Sequence, residues 1–242
     1  MKPTIPALEL QYRRDGASLP SVETQFDEIY RFSQVVGSFS PLLHEWYLAT
    51  GNSETEALQY KAFDAGGASE AARAVVRTKT HGKTDIRSIS VWNGANSDEE
   101  SAGMTSICMT VGRPDQFTFE LRVKPEVNDW KAGADWIQAA VRIWPALFVN
   151  FGPAWYSEKK VFKDRPGVSW MLYLPRVLST KQVPEASALV PVFSADKRQA
   201  GTIIVSITDE AFSDSNPEHV KIANDIEIRL VDQDLLPRYA DL

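Results

Sequence analysis

Cysteine is nearly absent: among 242 residues only Cys108 carries a thiol. No internal disulfide can form, and a thiolate-built zinc site is excluded. The three histidines, His44, His81 and His219, are too far apart in the chain to give metal-ligand spacing. His44-Glu45 opens like a zinc-protease helix, but Leu48 stands where the second histidine is required. Long apolar runs are also missing. No window reaches the ~18–20 apolar residues of a spanning helix, and Met1-Lys2-Pro3-Thr4-Ile5-Pro6 has no apolar run like that of a signal peptide. The expectation is a cytoplasmic protein with no metal, no cofactor and no membrane partner.

Catalytic motifs fail in the same way. Gly82-Lys83-Thr84 resembles the end of a phosphate-binding loop, but Arg77 occupies the position that loop reserves for glycine. Neither a Gly-x-Ser-x-Gly elbow nor a Gly-x-Gly-x-x-Gly loop occurs. Asp115 with Glu120-Leu121-Arg122 resembles a nuclease metal core in which arginine replaces the usual lysine; a turn followed by the wet face of a strand is the simpler reading. Cys108 lies mid-strand among apolar residues, as a structural thiol would. With 26 basic against 32 acidic residues the net charge is −6, which disfavours nucleic acid and membrane surfaces and favours a basic partner.

What is present suits a packed core: 43% of residues are hydrophobic and 24% charged, an ordinary globular balance. Residues 1–20 read as an extended arm. Ser21 is placed to cap a helix to about Val36, with Val22, Phe26, Ile29 and Val36 inward. Leu42 to Ala49 reads as a strand, and Ser53 opens a capping box for a helix to about Ala62. Ala68–Val76 reads as a further helix. Strands are expected at Ile86–Trp92, Met104–Val111 and from Phe117 to Val123, the last alternating with polar residues as in a half-wet antiparallel sheet. Ala134–Phe148 reads as a helix kinked or ended by Pro145. Val168–Leu174, Ala188–Phe193 and Gly201–Thr208 read as strands, and Asn216-Pro217-Glu218 opens a final helix that stops by Pro237. The fold class is α+β: a single domain over residues 1–242, antiparallel strands with helices segregated on the sheet faces.

Two features stand out within that pattern. Seven tryptophans, Trp46, Trp92, Trp130, Trp136, Trp144, Trp155 and Trp170, supply core area or interface anchors. Glu227 falls between Ala223 and Val231 on the apolar side of the last helix, so its carboxylate is expected to be buried and partnered by an ion pair or backbone hydrogen bonds.

The runs Asp164-Arg165-Pro166-Gly167-Val168-Ser169-Trp170-Met171-Leu172-Tyr173-Leu174-Pro175, Gly201–Val205, Asn216–Val220 and Ile226–Leu230 resemble the immunity protein 52 family of polymorphic toxin systems. Trp46-Tyr47-Leu48-Ala49-Thr50-Gly51 agrees more loosely. The resemblance implies a non-enzymatic antitoxin of a type VI secretion system. Its partner would be a cognate nuclease toxin of restriction-endonuclease-like fold. It carries over no catalytic residue. A nuclease cleft attracts phosphates and is basic, so its blocker is expected to present acids. Two acidic loops qualify: Asp98, Glu99 and Glu100, and Asp209, Glu210 and Asp214. The alternatives are a carboxylate-based hydrolase, which needs converging acids, and a small-ligand module with a tryptophan-lined pocket.

Overall fold

The computed structural model describes residues 5–16, 18–50, 53–110, 112–123 and 127–242. Residues 1–4 of the expected arm, Gly51 and Val111 lie outside the described residues. The chain divides into two compact units. One comprises residues 1–10, 126–142 and 146–242; the other comprises residues 11–125 and 143–145. The chain first passes from one to the other between Leu10 and Gln11, inside strand β1, Pro6–Tyr12. This part of the expected extended arm is a paired strand. Leu8, Leu10 and Tyr12 are buried while Glu9 is exposed, the period-2 signature of one wet face.

The second unit opens with α1, Val22–Gly37, capped by Ser21, whose Oγ accepts the Thr24 N–H at 3.0 Å. Short elements follow: β2 (Tyr47–Leu48), α2 (Glu54–Ala57), β3 (Phe63–Asp64), β4 (Gly67–Ala68) and α3 (Glu70–Lys79). Ser53 does cap α2, but that helix is one turn and stops well short of Ala62. Likewise only Tyr47 and Leu48 of the strand expected at Leu42–Ala49 pair; Pro41–Leu43 is a 3-10 turn. Three longer strands, β5 (Ile86–Trp92), β6 (Ala102–Met109) and β7 (Asp115–Leu121), then form an antiparallel array in the order β7-β6-β5-β2.

The core of this unit is aromatic. Phe117 stacks on Trp144 at 4.3 Å between centroids, and Phe32 meets Phe117 edge-on at 5.1 Å. One ion cluster sits beside it. Arg14 donates through Nε to Asp115 at 2.9 Å, through NH1 to Glu28 Oε1 at 2.6 Å and through NH2 to the Tyr12 hydroxyl at 3.0 Å. Trp144 Nε1 and the Met109 N–H complete the acceptors of Glu28 and Asp115, at 3.2 and 2.7 Å. Asp115 is therefore a buried structural acid, while Glu120 lies exposed on the other face of β7.

The first unit contains α4 (Trp130–Ile143), β8 (Ala146–Pro153), β9 (Met171–Leu174), β10 (Ala188–Phe193), β11 (Gln199–Val205) and α5 (Pro217–Asp232). Its strand order is β10-β11-β9-β8-β1. The helix expected to Phe148 ends at Ile143, and Ala146 begins a strand. Pro145 removes an N–H and forces its predecessor toward extended backbone, so the apolar spacing that ran on to Leu147 does not extend the helix. Helix α4 approaches β8 through Gly133, where a Cβ would lie 2.6 Å from the Phe151 ring. Met171 to Leu174 are all buried, as both-face apolar composition requires. Asn216 Oδ1 accepts from the Glu218 N–H at 3.0 Å and Pro217 opens α5, as the start signals predict. Both units are thus α+β with antiparallel pairing.

Glu227, only 1% exposed, locks the first unit. Oε1 accepts from the Tyr156 hydroxyl at 2.7 Å and the Val168 N–H at 3.0 Å; Oε2 accepts from the Val161 N–H at 2.8 Å. The carboxylate on α5 therefore holds both ends of the loop from Tyr156 to Val168, with no cation in hydrogen-bond reach among the described residues. Burial pushes its pKa up from 4.5, and the three donors act against that rise.

Glu227→Ala strands three buried donors and should cost ~3–5 kcal/mol, read as a lower urea midpoint at unchanged slope. An unchanged midpoint would refute the clamp. The raised carboxyl pKa also has a signed consequence. The folded chain keeps the proton above pH 4.5, where the unfolded chain releases it, so this group favours folding most below 4.5 and progressively less as pH rises through the folded value. Glu227→Gln should flatten that part of the stability–pH curve, measured by denaturation from pH 4 to 7.

Candidate functional site

The acidic loop between β11 and α5 is anchored at every turn. Trp170 Nε1 donates to the Ile207 carbonyl at 2.9 Å where the strand ends. Phe212, 3% exposed, packs edge-on to Tyr156 at 5.6 Å and against His219 at 5.5 Å. The Ser213 N–H donates to His219 Nδ1 at 3.0 Å, so the neutral ring carries its hydrogen on Nε2. That Nε2–H donates to Glu210 Oε1 at 2.8 Å. Lys159 reaches the Asp214 carbonyl from a neighbouring turn. Asp209 and Glu210 are consequently exposed carboxylates on a loop with little freedom, and Asp214 is half-buried beside them.

The neighbouring turn is Ala154–Glu158, continuing to Val161. Its inner face carries Tyr156, which binds Glu227 and also Asn224 at 3.0 Å. Its outer face presents Trp155 and Val161, each 41% exposed. Tyr156 and Lys159 contact the acidic loop directly, so the turn that carries the exposed Trp155 is braced against that loop. Aromatic anchors ringed by polar groups are the usual make-up of binding hot spots.

Asp98, Glu99 and Glu100 lie in the second unit, on a 3-10 turn between β5 and β6. Asn93 fixes that turn: its Nδ2 donates to the Glu100 carbonyl at 2.8 Å and its Oδ1 accepts from the Ala102 N–H at 2.9 Å. Asp98 lies 3.8 Å from Arg122 NH1, with its own side chain 95% exposed. Glu99 also has a partner. The structure therefore brings Asp209, Glu210 and Asp214 together and places the other three acids in a separate unit.

Glu227 contacts no open surface and serves the scaffold. Of the tryptophans, Trp46, Trp136, Trp144 and Trp170 are core residues at 1–3% exposure, and Trp155 is the most exposed. Sequence reasoning left out His219, Phe212, Asn93 and Tyr156 as positioning residues. Their partners lie 6 to 71 residues away, and an apolar or amide side chain carries no mark of what it supports. Among the described residues no three His, Cys, Asp or Glu side chains converge to hold a metal ion. No described helix is long and apolar enough to cross a membrane.

No curated protein matches the chain. Among solved structures it is similar to the Pseudomonas aeruginosa T6SS protein PA0821, with a TM-score of 0.54 at 10% identity, covering 93% of this chain and 73% of that one. At that identity the likeness shows the fold alone. The family model described as Immunity protein 52 matches residues 134–238. That span holds α5, the acidic loop and the Trp155 turn, so the resemblance carried by Asp164–Pro175 and Ile226–Leu230 is to the Immunity protein 52 family.

Proposed function

We propose that this chain is an immunity protein that binds and neutralises a cognate secreted toxin, acting by occupation and not by catalysis. The observation that carries the reading is the pre-organised acidic loop Asp209–Asp214, buttressed by His219 and Phe212 beside exposed Trp155. Rigid loops lose little entropy on association, so their contacts convert more fully into affinity. Exposed acids raise the encounter rate with a basic partner, while a desolvated aromatic sets the residence time.

The partner that fits is a nuclease toxin, because a phosphate-attracting cleft is basic; a restriction-endonuclease-like fold is the form the family resemblance favours. Asp98, Glu99 and Glu100 form a second, independent contact candidate. The working compartment is the cytoplasm, where such a toxin meets its nucleic-acid substrate. A hydrolase reading would need open, converging acids, and the most buried acid in the first unit is wholly consumed by scaffold donors.

The decisive experiment co-purifies the chain with the protein encoded beside it and assays DNA cleavage by that protein with and without this chain. Stoichiometric complex formation with loss of cleavage is expected; cleavage unaffected by excess chain would sink the reading. Reversing Asp209, Glu210 and Asp214 together should slow association at low salt by about tenfold or more and flatten its salt dependence. The matching reversal at Asp98, Glu99 and Glu100 tests the other loop, and wild-type rates in both variants would exclude acidic steering. Trp155→Ala should act on the other rate constant, raising dissociation ~30-fold or more, the cost of a hot-spot aromatic. Surface plasmon resonance separates the two effects.

A further inference from the structure

One concavity of the first unit is lined by none of the acidic-loop residues. It encloses about 520 Å³ between the end of β9 and the segment that follows α5. This volume is in the range of small-molecule sites, ~300–1,000 Å³. Leu147, Leu174 and Leu236 supply apolar wall, and Arg165 and Arg176 line the same space.

Arg165 is the unusual member. It is 9% exposed, yet among the described residues no carboxylate lies within ion-pair distance of it. One of its five N–H groups is used, through NH1 to the Leu236 carbonyl. A guanidinium taken that far out of water normally has a counter-ion. Arg176, exposed at the edge, also lacks an acidic partner among the described residues. Arg238 is committed elsewhere, to Asp164 at 3.7 Å. The side-chain acids of the lining, Asp234 and Asp241, are exposed and pair with neither Arg165 nor Arg176; Leu242, whose carboxylate also lines the cleft, has a partner of its own. The floor thus presents two guanidiniums without an acidic partner among the described residues, and Leu147, backed by the buried Leu174 and Leu236, gives one side of a mixed lining an apolar surface.

We propose that this cleft is a binding site for an organic carboxylate with an apolar body. The acid group sits on Arg165, with Arg176 closing over it, and the hydrocarbon part lies against the leucines. A planar fork suits a carboxylate's two oxygens, and the leucines distinguish such a ligand from a bare inorganic anion. The site is independent of the toxin surface and would stand if that reading failed. Its ligand could be a free small acid or the carboxyl end of a polypeptide, which share this chemistry.

The test is NMR titration of the full chain, following the Arg165 Nε–H signal. The probes are N-acetyl-leucine, N-acetyl-leucinamide, inorganic phosphate and a pentapeptide ending in leucine with a free carboxyl group. Saturable shifts are expected with N-acetyl-leucine at roughly tenfold lower concentration than with the amide or phosphate. Arg165→Lys, which keeps the charge but loses the fork, should weaken binding by about fivefold or more. Arg176→Ala, on the surface and outside the core, should weaken it similarly and guards against a misfolded first variant. Tighter binding of the pentapeptide than of N-acetyl-leucine assigns the source as a polypeptide terminus; equal binding assigns a free acid; either supports the site. Equal binding of acid and amide, tighter binding of phosphate, or no saturable shift would overturn it.

Discussion

A carboxylate removed from water must use its lone pairs inside the protein, and Glu227 uses them to join three segments that the chain separates by up to 71 residues. A hydrophobic contact in its place would hold the segments together without fixing their register, because apolar packing is not directional. Two backbone N–H groups and one phenol on a single carboxylate define where Tyr156, Val161 and Val168 stand relative to α5. The outward-facing side chains of the same turn inherit that position. Trp155 therefore projects from a fixed base, with 41% of its surface exposed.

The same logic recurs with other chemistry. His219 spans the acidic loop with two ring nitrogens of opposite role, accepting from Ser213 and donating to Glu210. In the second unit Asn93 performs the equivalent work with an amide, donating to Glu100 and accepting from Ala102. In each case one buried polar side chain immobilises an exposed acidic turn. Glu210 is hydrogen-bonded to His219 and Asp98 lies near Arg122, yet both carboxylates remain exposed to an incoming molecule.

Much of this framework was legible in the chain. The caps at Ser21 and Asn216, the alternation of Phe117 to Leu121 and the burial of Glu227 all follow from local rules, because in each the determining residues lie within a few positions of one another. Strand β1 is hard to tell from an unpaired extended arm: Leu8, Leu10 and Tyr12 alternate with Glu9 and Gln11 over only seven residues, among prolines and arginines that suit either. Pro145 marks the break that ends the helix, but strand β8 beyond it is hidden because Leu147 continues the i, i+4 apolar series. The struts were not legible at all. That His219 faces Ser213, or that Arg165 lacks an acid, depends on how distant segments meet.

Strand β10 ends the array of the first unit, and an open strand edge offers unpaired backbone groups to any other strand. Its register places Pro191 opposite Thr202, whose own backbone groups point to β9, so the proline nitrogen faces outward. The shift between Val192 and Phe193 breaks the regular spacing one residue later. A second copy arriving edge-on would find a missing hydrogen at the centre of the strand and a mismatch at its end. The outer edge of β10 is thus a poor template for the addition of another strand.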